Sequence, residues 1–129
     1  MPLMKFHLIR GRSQVELERF LQVAHDAMVE SFEVPERDRY QLVIEYDPSH
    51  LHTLDTGLDI ERTEKFVLVE VISRPRTRSA KLEFYERLCE LLRRECGIPT
   101  ADVMITFVQN TDEDWSFGHG RAQFVTGEL

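Results

Sequence analysis

Four short runs of apolar, β-branched and aromatic residues alternate along the chain with two longer segments of helical periodicity. The longer segments repeat apolar residues every three or four positions, as an amphipathic helix requires. They do so at Leu17, Phe20, Leu21, Ala24 and Met28, and again at Leu82, Tyr85, Leu88, Cys89 and Leu92. The short runs have the length and composition of strands: Leu3 to Ile9, Tyr40 to Tyr46, Phe66 to Ile72 and Val103 to Val108. The pattern predicts a β-α-β unit twice.

A faint internal repeat with an offset of 64 residues relates the two predicted units. It aligns Arg10-Gly11-Arg12 with Arg74-Pro75-Arg76, and the stretch from Val34 to Asp38 with that from Ile98 to Asp102. We therefore expect one domain over residues 1–129. Within it lie pseudo-repeats at approximately residues 2–47 and 65–109 and a C-terminal tail at residues 110–129.

Two right-handed crossovers convert these units into a four-stranded mixed sheet with both helices on one face, an α/β (α+β) fold. The run from Phe66 to Val69 is apolar on both faces, so the face without helices needs a cover. A further copy of the chain is the simplest cover, which predicts a symmetric oligomer. The tail, with Trp115, Phe117, Gly118 and Gly120, predicts a turn and a short strand that completes a neighbour's sheet.

Composition and charge narrow the possible partners. The formal net charge of -7 argues against a nucleic-acid binder, which needs a basic face. The apolar run from Phe66 to Val69 is far shorter than the roughly 20 residues of a membrane span. No secretory signal follows Met1, and Cys89 and Cys96 stand seven residues apart in one predicted helix, too far for a disulfide. We expect a cytoplasmic protein with free thiols that binds small molecules, not nucleic acid or membrane.

Pro2 is the first candidate for chemistry. A proline after the initiator methionine permits removal of Met1, which leaves a secondary amine whose pKa lies near neutrality. Such an amine acts as an acid or a base according to its surroundings. The alternative is that Pro2 is only compatible with processing. If Met1 is retained, the Pro2 nitrogen is an amide and this chemistry is blocked.

Two basic residues and one acidic residue are further candidates. Arg74 and Arg76 flank Pro75 on extended backbone, so both guanidinium groups can face one carboxylate. The alternative is a solvated turn before the second helix, since Arg10 and Arg12 hold the same places in the first repeat. Asp38 can orient a water or a substrate carbonyl. It can equally bond turn N–H groups, because the repeat places Asp102 at the same position.

Metal and nucleophile patterns are weak in this chain. The histidines do not have ligand spacing, so we expect no metal: His50 and His52 lie in a polar loop, and His7, His25 and His119 are scattered. Cys89 falls in the helical apolar pattern and is expected to be a core thiol.

Several longer stretches resemble a known family. They are Val34-Pro35 with Asp38-Arg39-Tyr40-Gln41, Val71-Ile72-Ser73-Arg74-Pro75-Arg76, and Asp114-Trp115-Ser116-Phe117-Gly118. Together with Pro2 and the doubled β-α-β unit, they resemble the tautomerase superfamily and, within it, the malonate semialdehyde decarboxylases. The similarity extends along nearly the whole chain.

The resemblance implies a homotrimer that uses neither metal nor organic cofactor. It places Pro2 at the base of a pocket with Asp38, Arg74 and Arg76 as functional residues, the two arginines binding a substrate carboxylate. Trp115 and Phe117 match the family's hydrophobic pocket wall.

The activity that the resemblance implies is decarboxylation of a short 3-oxo acid, malonate semialdehyde, with the Pro2 amine as acid. Alternatives within the superfamily are keto-enol tautomerisation of a 2-oxo acid and dehalogenation or hydration of a 3-haloacrylate. A non-catalytic trimeric interaction module is the alternative of a different class. The acidic stretch Asp59 to Glu61 departs from the family's pattern and bears on substrate preference.

Overall fold

The computed structural model describes all residues from 1 to 129. Its elements, in chain order, are β1 (Leu3–Ile9), α1 (Gln14–Phe32), β2 (Tyr40–Tyr46), β3 (Val67–Ser73), α2 (Arg78–Cys96), β4 (Val103–Gln109) and α3 (Gln123–Thr126). Short 3₁₀ turns lie at Pro48–His50, Thr100–Asp102 and Asp112–Asp114. The two predicted β-α-β units are confirmed, and each predicted strand agrees with the structure to within one residue at either end.

The sheet has the order β2-β1-β3-β4. Each outer pair is parallel, whereas the central pair, β1 and β3, is antiparallel and places Leu3 opposite Ile72. Leu3 also lies beside Tyr40, the first residue of β2. The start of β1, the start of β2 and the end of β3 therefore lie together at one end of the strands.

Both long helices pack on one face of the sheet, which confirms the predicted four-stranded mixed architecture. Alternate strand residues point into this core and are fully buried, as the period of two along a strand requires. The ring of Phe6 from β1 meets that of Phe20 from α1 edge-on, with centroids 5.0 Å apart. The largest core side chains are Met4, Phe6, Leu8, Val67, Val69 and Val71 from the strands and Phe20, Met28, Phe84, Leu88 and Leu92 from the helices.

The helix ends determine where the following loops begin. Ser13 and Glu16 form a capping box at the start of α1, and Thr77 caps α2. Gly97 ends α2 in the left-handed conformation that glycine favours. The first helix ends in the same conformation at Glu33, with φ 51°, although this residue is not a glycine.

The tail corrects the sequence-based expectation of a strand. After an isolated bridge between Gly118 and Arg121, the chain forms the short helix α3 and returns toward its own β2. The Gln123 side chain closes this turn by accepting from the Phe117 N–H and donating to the Gly118 carbonyl. The prediction of a strand was wrong because that side-chain bridge and the Gly127 cap favour a helical turn.

The sheet face opposite the helices is largely apolar and open. Tyr40, Leu42, Met104 and Val108 remain exposed on it, while Lys5 and Glu70 form an ion pair near its centre. No helix in the chain is both long enough and apolar enough to cross a membrane.

Candidate active site

Three strand ends build a cavity of about 500 Å³ around the chain's N-terminus. It brings together Asp38, Arg74 and Arg76, three of the predicted site residues, with Met1 directly before Pro2. The remaining lining residues come from the last residue of α1, the loop after it, β2 and the tail: Phe32, Glu33, Val34, Pro35, Arg37, Tyr40, Phe117, Phe124 and Leu129.

Met1 is 3% exposed and is held at both of its backbone polar groups. Its α-amino group forms an ion pair with the Asp38 carboxylate, and its carbonyl accepts a hydrogen bond from the Arg76 guanidinium. Burial, followed by the positive charges of Arg76 and Arg74, lowers the pKa of this amino group to about 5. Those effects outweigh the adjoining carboxylate. Pro2 is buried next to it, and its nitrogen here is an amide.

Asp38 stands at the end of a tight turn that leaves its carboxylate free of backbone partners. Its own N–H donates to the Pro35 carbonyl at 2.9 Å. The counterpart turn in the second repeat has the same bond, from Asp102 to Pro99, also at 2.9 Å. There the carboxylate is fully buried and accepts from the N–H and hydroxyl of Thr63. The two aspartates share a turn, but only Asp38 faces the cavity.

The two arginines differ in how they are held. Arg74 donates to Asp112 at 2.9 Å and lies over the Phe124 ring, 3.8 Å from its centroid. Arg76 donates from Nε to the Ser73 hydroxyl at 3.1 Å, which leaves its outer nitrogens directed at the N-terminus. Burial, then the charge of Arg74, lowers the pKa of Arg76. A negatively charged ligand beside the two arginines is therefore favoured.

The aromatic wall differs in part from the prediction. Phe117 lines the cavity, but Trp115 is not among the lining residues. Trp115 stacks on Phe117 with an interplanar angle of 7° and a centroid separation of 5.6 Å, and its indole N–H donates to Asn110. Trp115 therefore supports the wall from behind.

Sequence reasoning missed Phe124 and Leu129, which complete the cavity from the last residues of the chain. The Phe124 ring meets Phe117 edge-on, with centroids 5.3 Å apart. The available signal was the pair of phenylalanines seven residues apart in the tail. The tail was predicted to form a strand in a neighbour's sheet, and a strand placed there would not line this chain's own cavity.

No group of three or more His, Cys, Asp or Glu side chains is placed to hold a metal ion. A second cavity, of about 600 Å³, lies on the open sheet face and includes His7, Tyr46 and Glu70. It contains none of the predicted site residues. Cys89 and Cys96 are free, and burial raises the pKa of each thiol.

Comparisons with known proteins agree with this fold. A family model described as tautomerase enzyme matches residues 38–118. The chain is 47% identical to the probable tautomerase YrdN of Bacillus subtilis (strain 168), with all of both chains covered. It is 35% identical to the probable tautomerase YusQ of the same strain, covering 97% of this chain and 99% of the relative.

Solved structures extend the comparison. A structure of malonate semialdehyde decarboxylase, studied for its decarboxylase and hydratase activities, is 47% identical with a TM-score of 0.96 over 98% of both chains. A malonate semialdehyde decarboxylase inhibited by 3-bromopropiolate is 36% identical with a TM-score of 0.93, over 98% of this chain and 97% of the other. A fused 4-OT, described as a symmetric trimer, shares the fold at 20% identity and a TM-score of 0.78, over 97% and 98%. The chain therefore belongs to the tautomerase superfamily.

Proposed function

We propose that this chain, once Met1 is removed, is a cofactor-independent carboxy-lyase that converts malonate semialdehyde to acetaldehyde and carbon dioxide. The observation that carries the proposal is the contact between the Arg76 guanidinium and the Met1 carbonyl. The carbon of that carbonyl is bonded to the Pro2 nitrogen, so Arg76 reaches an oxygen two bonds from it. Identity of 47% to a malonate semialdehyde decarboxylase supports the choice of substrate.

Removal of Met1 opens the site to a ligand. The Pro2 nitrogen becomes a secondary amine, and the space held by the buried Met1 residue becomes available. The Nη2 group of Arg76 also loses its acceptor, although Nε keeps the Ser73 hydroxyl, and a partly buried donor without a partner is unfavourable. A carboxylate or carbonyl oxygen of a small acid takes the place of the Met1 oxygen in this proposal.

The proposed reaction places positive charge where negative charge develops. The bond between the carboxylate and the methylene carbon breaks, and its electron pair passes into the carbonyl group as an enolate. A protonated Pro2 amine stabilises that oxygen, and a proton added to carbon then gives acetaldehyde. Arg74 and Arg76 hold the carboxylate out of the carbonyl plane, which aligns the breaking bond with the π system. The ring of Phe117 favours neutral carbon dioxide over the charged carboxylate.

Asp38 decides whether the amine can act as an acid. In the chain that retains Met1, the Asp38 carboxylate pairs with the Met1 amino group, while burial, Arg76 and Arg74 lower the pKa of that group. The same opposing effects act on a Pro2 amine in the processed chain. The amine can alternatively form an iminium with the aldehyde and serve as the electron sink in that way. Either route uses the same four residues.

Keto-enol tautomerisation of a 2-oxo acid is the second candidate function. It is favoured by the surroundings of the N-terminus: burial and the charges of Arg76 and Arg74 lower the pKa of the Met1 amino group to about 5. The same surroundings favour a neutral Pro2 amine once Met1 is removed, and a neutral amine acts as a base. Both relatives from Bacillus subtilis are named probable tautomerases. In this reaction Pro2 removes a proton from one atom of the substrate and returns it to another.

A side-by-side assay separates these functions. We expect processed protein to turn over malonate semialdehyde with a higher kcat/KM than a 2-oxo enol acid or a 3-haloacrylate, and to release carbon dioxide and acetaldehyde in equal amounts. Comparable or faster turnover of the enol acid would make the chain a tautomerase. Faster turnover of the haloacrylate would make it a dehalogenase. A folded protein that is inactive on all three would support the non-catalytic module.

The compound 3-bromopropiolate provides a test of the site, since it inhibits the decarboxylase that is 36% identical to this chain. We expect one label on Pro2, located by peptide mass spectrometry, in parallel with the loss of activity. The matched control is a chain that retains Met1, in which Pro2 has no free amine. Labelling at a cysteine with Pro2 unmodified would contradict the proposal.

We also propose a homotrimer assembled through the open sheet face, where Leu42 is 49% exposed. Light scattering at micromolar concentration measures the state. Leu42→Asp should dissociate the trimer because it places a charge on an apolar surface. Val15→Asp is the control, because Val15 is 74% exposed on α1, away from the sheet. A monomeric wild-type chain would contradict this assembly.

A further inference from the structure

The loop between α1 and β2, residues 33–38, carries Asp38 to the N-terminus and is here termed the Asp38 loop. It leaves the helix at Glu33 in the left-handed conformation and closes a turn from Asp38 to Pro35. The Asp38 carboxylate is directed at the N-terminal amino group. It therefore ties the loop only to the chain terminus, and a contact elsewhere in the loop also determines where Asp38 lies.

His25 supplies a contact of this kind from α1. The residue is 3% exposed, and its Nε2 lies 2.6 Å from the carbonyl oxygen of Glu36, in the middle of the Asp38 loop. A carbonyl oxygen only accepts, so Nε2 carries the proton and donates. The other ring nitrogen, Nδ1, is buried without a hydrogen-bond partner. The ring thus makes one hydrogen bond, and that bond goes to the loop backbone.

The second repeat shows why this contact is specific to the first. The same turn forms from Asp102 to Pro99. The residue 64 positions after His25 is Cys89, whose thiol makes no such bond. There, the carboxylate of Asp102 itself anchors the turn, by accepting from the N–H of Thr63 at 2.7 Å. A histidine is therefore not needed to form the turn, and it occurs where the carboxylate is left free.

We propose that His25 is a positioning residue of the active site. Its Nε2–H bond to the Glu36 carbonyl holds the Asp38 loop against α1, and this keeps the Asp38 carboxylate at the N-terminal amine. The inference rests on the proposed function only in treating the amine that Pro2 gains on removal of Met1 as the catalytic group. The geometric claim concerns Asp38 and the amine, whichever reaction they serve.

The test measures the pKa of the N-terminal amine without any substrate. Competitive acetylation by acetic anhydride over a pH series, quantified by mass spectrometry of the N-terminal peptide, gives this pKa for folded protein that retains Met1, the form in which Asp38 contacts the amine. Because Asp38 stabilises the charged amine, His25→Leu should lower the pKa by about 1, as should Asp38→Asn. His25→Leu added to Asp38→Asn should lower it no further, since the effect passes through that carboxylate.

Three variants serve as controls. His25→Gln should keep the wild-type pKa, because the Gln amide nitrogen takes the place of Nε2. His25→Asn should behave as His25→Leu, because its shorter side chain does not reach, and it replaces the leucine variant if that chain fails to fold. His52→Leu removes another histidine bond to a backbone carbonyl, that of Ser49, outside the site, and should change nothing.

An unchanged amine pKa in folded His25→Leu or His25→Asn would overturn the inference. So would an equal decrease in the Asp38→Asn background, which would indicate a general loss of structure. Absence of malonate semialdehyde turnover in the wild type would remove the proposed function while leaving this test intact.

Discussion

The two repeats make the same arginine-to-carbonyl contact at opposite ends of the sheet, but the residue that supplies the carbonyl differs in kind between them. Arg12 donates to the carbonyl of Lys65 at 2.8 Å, and Arg76 donates to the carbonyl of Met1. Both pairs are related by the offset of 64 residues. The Lys65 carbonyl is an internal part of the chain. The Met1 carbonyl belongs to a residue that processing can remove.

Residues of identical type therefore have different partners in the two repeats. At the second site, Arg12 is satisfied by the backbone and the carboxylate of Asp102 is satisfied by Thr63. At the first site, Met1 supplies the ionic partner of Asp38 and one of the two hydrogen-bond acceptors of Arg76, the other being the Ser73 hydroxyl. Removal of Met1 therefore takes a partner from the Arg76 guanidinium and from the Asp38 carboxylate together. At the second site the partners are internal residues, which processing does not remove.

The largest effect is expected from blocking the N-terminal amine. A residue that prevents removal of Met1, or an uncleaved extension, should lower kcat/KM by about 10²- to 10⁴-fold, the range for loss of a general acid or base. Pro2→Ala should lose less, because a primary amine remains. Circular dichroism serves to establish that each variant is folded. Full activity of a chain that mass spectrometry shows to retain Met1 would end the proposed role of Pro2.

The next largest effect is expected from loss of either arginine in the cavity. Arg76→Ala should lower kcat/KM about 10- to 150-fold, corresponding to loss of a charge-assisted hydrogen bond worth about 1.5 to 3 kcal/mol. Arg74→Ala should act in the same direction, because its guanidinium also lines the cavity. Steady-state kinetics measures both losses.

Arg12→Ala is the matched control, because it should reduce the free energy of unfolding while leaving kcat/KM near wild type. Urea denaturation measures that loss, which should be about 0.5 to 1.5 kcal/mol. Arg10→Ala should change neither quantity much, since its ion pair with Asp47 is exposed. The assignment of the two sites would be reversed if Arg12→Ala disabled catalysis while Arg76→Ala did not.

The aspartates should show the same division. Asp102→Asn should lower the free energy of unfolding by about 1 to 3 kcal/mol, because the buried amide cannot accept both hydrogen bonds from Thr63. Asp38→Asn should lower activity with little change in stability. Urea denaturation measures the loss of stability in each variant, and steady-state kinetics measures the loss of activity. Equal stability losses would show that Asp38 is as structural as its counterpart.

The smallest effect concerns the amino group of a chain that retains Met1. Its pKa of about 5 lies below the value of 8.0 for a free amine. The unfolded chain therefore binds more protons between these values, and this group's contribution to stability falls as pH decreases from 8 to 5. Arg76→Ala should raise this pKa, since it removes the larger of the two opposing charges. Competitive acetylation measures the change, and a lower pKa in the variant would contradict it.

The sequence predicted what depends on local pattern. The strands, the helices and the repeat follow from spacing, and the repeat brought Arg74, Arg76 and Asp38 to one edge because the central strands are antiparallel. The tail followed no such rule, since its course is determined by the contact of Phe117 with Tyr40 and of Phe124 with Arg74. Both are tertiary contacts between residues far apart in the chain.

Two further roles were not visible from residue type. Arg12 was expected to be an ordinary turn residue, but it donates to a carbonyl 53 positions away. His25 was noted only as lacking metal-ligand spacing, whereas its partner is a backbone carbonyl in the next loop. Every residue has a backbone carbonyl, so the sequence does not indicate which carbonyl a side chain will contact. Contacts of this kind are identified only from the folded structure.

The near two-fold relation between the repeats also sets the stoichiometry of the chain. The residue that corresponds to Pro2 in the second repeat is Phe66, which is 2% exposed and whose nitrogen donates to the Thr63 carbonyl as an ordinary amide. A tandem duplication within one polypeptide supplies two copies of the scaffold but a single chain terminus. Labelling of the proposed Pro2 amine by 3-bromopropiolate should therefore saturate at one equivalent per chain.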